Sequence, residues 1–386
     1  PLSLYIHIPW CLKKCPYCDF NSHEVKGEGE LAPEDEYVAA LIRDLESALP
    51  NVWGRNVTSI FFGGGTPSLF SAQSVDKILA AVRMLLPLVH CAEVTMEANP
   101  GTFEAQKFAD FQAAGINRLS VGIQSFNAQY LQALGRVHDD REAHKAVEIA
   151  LQNFDNINLD LMYALPGQTL ADAQMDIETA CASGVPHISA YHLTLEPNTL
   201  FHRYPPSLPD DELSAEMQVM IEQLTADKGY INYETSAFAQ PGQMSQHNLN
   251  YWLFGDYVGI GAGAHSKISF SDKIIRQMRC KQPKEYLAKA VDASVASAPQ
   301  IQTHHELSRA DRGFEFMMNA LRLTDGFEAQ LFNERTGLPI NVIQRQLNEA
   351  EQRELIERDY QRITPTKTGR RFLNDLLQIF LPEEKR

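Results

Sequence analysis

Strand-like and helix-like stretches alternate through the first two-thirds of this chain, and that alternation limits the fold more than any other feature. Leu2–Ile8 is β-rich, and Pro33–Leu49 follows with Tyr37, Leu41 and Leu45 at helical spacing. Val57–Phe62, Glu93–Glu97, Arg118–Ile123, Ile157–Met162 and His187–Leu195 read as further strands. Val75–Leu86, Phe103–Ala114, Glu142–Gln152 and Leu170–Ala182 read as the helices between them. Strands alternating with helices predict an α/β fold with a parallel sheet and right-handed crossovers. Eight such units close a full barrel, so about six predict an open, partial (β/α)6 barrel. A helix at Asp211–Lys228, a strand at Tyr233–Phe238, a Gly-rich segment at Gly255–Gly263 and an outgoing segment at Pro283–Ser297 come next.

From about Glu306 the pattern turns helical, with Phe314–Leu323, Glu328–Thr336 and Ile340–Glu351. A strand pair near Leu355–Glu357 and Gln361–Thr364 precedes a last helix at Lys367–Phe380. Helices, a small hairpin and a helix predict a mostly helical, winged-helix-like C-terminal domain. It reads as a packing or recognition appendage, because fold alone does not give function. The chain of 386 residues is long enough for one large domain and a smaller one. The expected division is a barrel at 1–240, a Gly-rich segment and linker at 241–300, and the helical domain at 301–386. The balance of 34 basic against 49 acidic residues leaves no large basic footprint for nucleic acid. No run of about 18 apolar residues appears, so no membrane-spanning helix is expected. Pro1–Trp10 reads as a strand and not as a signal peptide. A cytoplasmic location follows, with any membrane association made through partners.

Three of the six cysteines crowd into one loop, Cys11-Leu-Lys-Lys-Cys15-Pro-Tyr-Cys18. The others, Cys91, Cys181 and Cys280, are scattered and read as plain core or surface residues. A secreted disulfide framework is paired more evenly, so a reducing compartment and a metal-binding loop fit better. Three thiolates can hold three irons of a [4Fe–4S] cube and leave the fourth iron open. S-adenosylmethionine (SAM) needs such an iron, and an electron passed to its sulfonium would release an adenosyl radical. Three alternatives stand beside this. The spacing also suits one helix face, although Pro16 argues against a helix running through. Zinc with His7 or His23 as fourth ligand is a second. An electron-transfer cluster is a third, although it normally takes four cysteines.

Polar and Gly-rich residues gather just after the expected strands, where ligand sites of parallel α/β folds lie: Cys11, Gly63, Glu97, Gln124 and Asp160. Gly63-Gly64-Gly65-Thr66-Pro67 lets backbone approach a ligand closely or simply turns the chain into a helix. With the cysteine loop, this run resembles the one that radical SAM proteins use for the amino group of SAM. Tyr5-Ile-His-Ile-Pro-Trp-Cys11, Cys15-Pro-Tyr-Cys18, Phe62-Gly-Gly-Gly-Thr-Pro67, Glu97-Ala-Asn-Pro100, Arg118-Leu-Ser-Val-Gly-Ile-Gln-Ser-Phe126 and Asn158-Leu-Asp-Leu-Met162 extend the match. They resemble the oxygen-independent coproporphyrinogen III dehydrogenase (HemN-like) superfamily, through nearly the whole chain. The resemblance implies a radical SAM partial barrel holding a [4Fe–4S] cluster on Cys11, Cys15 and Cys18. It implies contacts of Tyr5, Gly64 and Glu97 with cluster-bound SAM. It links Gly65, Thr66, Gln124, Arg136 and Asp160 to SAM or to a second SAM.

Two departures stand out. The dehydrogenase has a further cysteine where this chain has Phe20, and it has a longer N-terminal extension. This chain instead carries His247-Asn-Leu-Asn-Tyr-Trp252, which is similar to the mark of the HemW group of that superfamily. That similarity implies heme as cargo, passed to heme-accepting respiratory proteins. His247 would then be an axial ligand, with Tyr251 and Trp252 packed on the porphyrin. The bland alternative is that His247 hydrogen-bonds inside its loop, and His265 is a second candidate ligand. The expected function is a heme chaperone on a radical SAM scaffold. The alternative is a coproporphyrinogen III dehydrogenase, in which a propionate loses hydrogen and carbon dioxide to leave a vinyl group. A radical SAM methyltransferase is a third reading.

Overall fold

Six parallel strands carry the architecture: β1 (Leu2–Ile8), β2 (Val57–Gly64), β3 (Leu88–Ala98), β4 (Arg118–Gln124), β5 (Ile157–Tyr163) and β6 (His187–His192). The computed structural model describes residues 1–25, 32–102 and 105–382. Helices α1 (Glu34–Val52), α2 (Ala72–Leu85), α3 (Ala105–Ala114), α4 (Asp140–Asn153) and α5 (Leu170–Ala182) fill the crossovers. The first two residues of the expected helix Phe103–Ala114 lie outside the described residues. Local chemistry sets the helix starts: Asp139 with Glu142, and Thr169 with Asp172, form reciprocal capping boxes.

Each strand has two different faces. Leu2, Leu4, Ile6 and Ile8 of β1 are buried in the main core. The alternate residues on the inner face are polar: Ser3 bonds Ser59 of β2, Ser120 of β4 bonds Asp160 of β5, and Asn158 bonds His187 of β6. A period of two thus separates an oily outer layer from a hydrogen-bonded interior. The polar faces converge where the strands end, and this builds the site.

The sheet is larger than six strands. After α6 (Asp211–Asp227), the single strand expected at Tyr233–Phe238 is a hairpin, β7 (Ile231–Glu234) and β8 (Ala237–Ala239), which caps β6 antiparallel. Residues 241–300, expected as a Gly-rich segment and linker, form α7 (Gln246–Trp252), β9 (Asp256–Ile260), β10 (His265–Ser269), β11 (Ile274–Arg279) and α8 (Pro283–Ala290). β9 pairs parallel with β1, so β1 lies inside the sheet, and β10, β11 and β12 (Ile301–Glu306) continue it antiparallel. The order is β12-β11-β10-β9-β1-β2-β3-β4-β5-β6-β8-β7. β9 escaped the sequence reading because all five of its residues are buried, so it shows no alternation, and glycines flank it.

The C-terminal region has its own apolar core, with Phe316, Phe327, Phe332 and Leu376 buried, and it also takes in Phe254 and Ile274. Its helices α9 (Arg309–Ala320), α10 (Ala329–Thr336) and α11 (Gln344–Gln352) surround a three-stranded sheet of Phe327–Glu328, Arg362–Pro365 and Ile356–Arg358. The expected last helix is two pieces, Lys367–Arg371 and Leu373–Ile379, because Phe372 leaves helical geometry.

One buried carboxylate ties α1 to the sheet extension. Asp44 is fully buried and accepts from the Gly261 N–H (3.1 Å), Tyr286 Oη (2.9 Å) and Gln300 Nε2 (2.9 Å). Arg279, also buried, closes the ion pair at 3.1 Å and donates to Ser266 Oγ. Removing one partner strands the other charge in the interior. Asp44→Ala is expected to cost about 3–5 kcal/mol in urea unfolding, with Asp44→Leu/Arg279→Met recovering much of it. Equal losses in both variants would count against the pairing.

Candidate functional site

β1 delivers the chain into the cysteine loop. Trp10–Cys11 pairs with His23–Glu24 and closes the loop. Lys14 Nζ donates to the carbonyls of Phe20 and Ser22, both at 3.2 Å. Asn21 Nδ2 donates to the carbonyls of Ala262 and Lys281, both at 2.9 Å, and so fastens the loop to the sheet extension. No helix runs through 11–18. All three thiols line a cavity of about 380 Å³. Among the described residues no three His, Cys, Asp or Glu side chains converge on one ion. Three thiols on one cavity wall suit a cube, in which each thiolate meets its own iron. Burial pushes the Cys11 thiol up to about 11, against a hydrogen bond with Thr66, and burial also raises Cys18. Arg136 Nη1 lies 3.7 Å from Cys15 Sγ and sets a positive charge beside that ligand.

The Gly-rich run is shaped by the loop beside it. Gly64 has φ +119°, and a Cβ there would stand 2.6 Å from the His7 ring. A Cβ on Gly65 would meet the Trp10 carbonyl at 2.5 Å. The N–H groups are used internally: Gly65 donates to Ile8 O, Thr66 to Trp10 O, and Gly64 to Glu97 Oε2. These three N–H groups therefore hold the run against the loop and Glu97 and are not free for a ligand.

Glu97 and Asp160 face the same cavity as the thiols. Burial and the neighbouring Asp160 push the Glu97 carboxyl up to about 8. Burial raises Asp160 too, against hydrogen bonds from Ser120 and Asn158. Neither has an ion-pair partner among the described residues. Two half-buried carboxyls with no ion-pair partner among the described residues complement SAM, which carries a sulfonium and an ammonium. Gln124 lines the cavity from a left-handed turn (φ 68°). Arg136, which the resemblance links to SAM, donates to Asn99 Oδ1 (2.6 Å) and to the Gly122 carbonyl (2.8 Å). Asn99 also donates to Thr66 Oγ1 (2.8 Å), so it joins three strand ends. Sequence reading passed over Asn99, although its place two residues after Glu97 puts it on the same face of the chain.

A second cavity of about 590 Å³ adjoins the first and shares Lys14, Cys18, Asp19, Phe20, Gly64 and Glu97 with it. Tyr5 opens here, with its hydroxyl 3.0 Å from His7 Nδ1. Tyr251, Tyr257, His265 and Lys281 form the far wall.

The structure spreads the expected heme residues apart. α7 carries the whole His247–Trp252 segment, and Glu93 accepts from the Gln246 and His247 N–H groups, both at 3.0 Å. His247 is only 3% exposed and borders neither cavity. Its Nδ1 meets Ser59 Oγ at 3.0 Å, and Phe61 stacks on its ring. Burial takes its pKa down to about 3. Trp252 points elsewhere, with the Arg322 guanidinium 4.4 Å above its ring. Of the three, only Tyr251 reaches a cavity wall.

The chain matches the model of the Radical SAM superfamily over residues 5–180 and that of the HemN C-terminal domain over residues 307–372. It is 47% identical to heme chaperone HemW of Escherichia coli, covering 99% of each chain. The chain belongs to the HemW family. The heme chaperone HemW of Bacillus subtilis is 33% identical, over 99% of each chain. The coproporphyrinogen III oxidase HemN of Escherichia coli superposes with TM-score 0.81 at 21% identity, over 98% of this chain and 90% of that one. The fold is therefore the mixed α/β radical SAM fold with a helical C-terminal region, and the HemW family brings with it the iron–sulfur cluster and SAM of that superfamily.

The Glu97 environment has a direct consequence in the ligand-free protein. Its folded pKa of about 8 lies above the ordinary 4.5, so between these values the folded chain keeps a proton that the unfolded chain releases. Stability then falls as pH rises through this window. Glu97→Gln is expected to match the parent near pH 4.5 and to exceed it at pH 8 in urea unfolding. A variant no more stable at pH 8 would mean that the carboxylate already finds a cation.

Proposed function

We propose that this chain is a heme chaperone, which holds heme beside a SAM-ligated [4Fe–4S] cluster and passes it to respiratory acceptor proteins. One observation carries the reading: a second cavity of about 590 Å³ adjoins the cluster cavity, in a chain 47% identical to a heme chaperone over 99% of its length. Cys11, Cys15 and Cys18 hold the cluster. Glu97 and Asp160 hold the ribose and the ammonium group of SAM, with Gly64, Gly65 and Thr66 close to the loop. Gln124 closes that wall. Arg136 offsets the negative charge gathered at Cys15. When bound, the cluster and SAM supply one-electron chemistry at the sulfonium.

Phe20 separates this reading from the dehydrogenase. It is 60% exposed and borders both cavities, at the position where the dehydrogenase pattern has a thiol. An apolar ring there favours contact with a porphyrin over thiol chemistry. Among the described residues no helix is long and apolar enough to cross a membrane. The protein works in the cytoplasm and meets membrane-bound acceptors through their own surfaces.

Heme titration of the anaerobically reconstituted protein tests the reading, and saturation near about one heme per chain is expected. Cys15→Ser is expected to lose the cluster's visible absorption and its iron. Failure to bind heme saturably would overturn the proposal. Vinyl product from coproporphyrinogen III, formed only with SAM, would instead establish the dehydrogenase.

A further inference from the structure

We propose that His187 is a positioning residue for SAM: through Asn158 it orients the donors that fix the Asp160 carboxylate on the wall of the cluster cavity. The inference rests on the reading above, in which Asp160 meets SAM, and adds the device behind that contact. Asn158 stands two residues before Asp160 on β5, on the same polar inner face, and is buried. Its amide is fully used. Nδ2 donates to Asp160 Oδ1 (2.9 Å) and to Ser120 Oγ (2.8 Å). Oδ1 meets His187 Nδ1 (2.6 Å) and accepts from Ser189 Oγ (3.0 Å). Ser120 donates its own hydroxyl proton to Asp160 Oδ2 at 2.7 Å. His187 itself borders neither cavity.

The direction of these bonds is settled at His187. Burial holds its pKa well below the usual value, so the imidazole is neutral, with one donor and one acceptor nitrogen. Tyr233 Oη lies 2.9 Å from Nε2 and accepts from the Ser245 N–H at 3.3 Å, so its hydroxyl proton points to Nε2. Nε2 is then the acceptor and Nδ1–H the donor. A donor at Asn158 Oδ1 turns the amide N–H groups toward Ser120 and Asp160. Reversed, the amide would set its oxygen 2.9 Å from a carboxylate oxygen, two acceptors face to face.

Asp160 therefore accepts at both oxygens, which favours its charged form, and a cationic ligand needs that form. Other groups face the same carboxyl. Glu97 of β3 opposes its charge, and Arg118 of β4, which pairs with Glu93 at 3.9 Å, favours it. Tyr191 of β6 stands beside it as a neutral phenol. Burial works against ionisation as well, and the relay from Tyr233 through His187 and Asn158 offsets part of that cost. Asn158, His187, Ser189 and Tyr233 are all buried, so water cannot replace a donor that is lost.

The test is equilibrium dialysis of labelled SAM against the anaerobically reconstituted full chain, across a pH series. His187→Leu should keep its cluster absorption and bind SAM roughly tenfold more weakly at neutral pH. Losing a donor raises the Asp160 pKa further, so the variant's affinity should recover as pH rises. Glu97 titrates in both proteins, so the difference between the two profiles reports Asp160. His187→Asn, whose amide N–H takes the place of Nδ1–H, should return toward the parent profile. Parent affinity in His187→Leu, or equal weakening at every pH, overturns the assignment. Should His187→Leu lose its cluster, Tyr233→Phe decides instead: it removes only the far hydroxyl and should move the profile the same way by less, and an unmoved profile overturns the assignment. Parent affinity in Asp160→Asn would instead overturn the reading that Asp160 meets SAM.

Discussion

The rest of the structure hangs on the carboxylate of Asp44. It sits in α1 with no exposed surface, and four groups from distant parts of the chain donate to it. A buried charge is tolerable only when it is fully paired, so this requirement selects one arrangement of α1, β9, β11 and α8. The consequence reaches the site. Gly261 and Arg279 frame the segment that bears Ala262, Ala264 and His265. Asn21, at the end of the cluster loop, is bonded to the Ala262 carbonyl. Tyr37 of α1 reinforces the link, donating to the His7 carbonyl and accepting from the Ala262 N–H. Cluster loop and second cavity are thus placed by one polar network beneath them.

The first cavity follows a different logic. Its two carboxyls are half-buried with no ion-pair partner among the described residues, and ionising Glu97 costs the ligand-free protein stability. The same arrangement is preorganised for a positive ligand, because the strand ends and the hydrogen bonds from Gly64, Ser120 and Asn158 already fix those oxygens. Arg136 stands between these carboxyls and the thiols: its guanidinium bonds Asn99 and the Gly122 carbonyl and still reaches Cys15. Polar groups are therefore sorted across a few strand ends, with the carboxyls on one side and the cationic guanidinium at the cysteines.

The His247–Trp252 segment shows how one helix can serve three neighbours at once. His247 and Asn250 turn inward, Tyr251 faces the second cavity, and Trp252 meets Arg322 of the C-terminal region. Consecutive helical residues point about 100° apart, so such a cluster cannot present all of its side chains to a single ligand. The segment reads as a joint between barrel, cavity and C-terminal region.

Much of this was legible in the sequence. The alternation of strand and helix patterns pointed to about six parallel strands, and of the residues read near their ends, Cys11, Gly63, Glu97, Gln124 and Asp160, all but Gly63 line one cavity. These signals are local: a period of two, a period of 3.6, and a break between them. Tertiary structure alone decided that 241–300 belongs to the central sheet, because a strand buried on both faces has no periodicity to read. It alone sealed His247 behind Phe61 and opened His265 to the second cavity. A histidine reads alike in sequence whether its ring lies in the core or on a cavity wall, since exposure is set by contacts far along the chain.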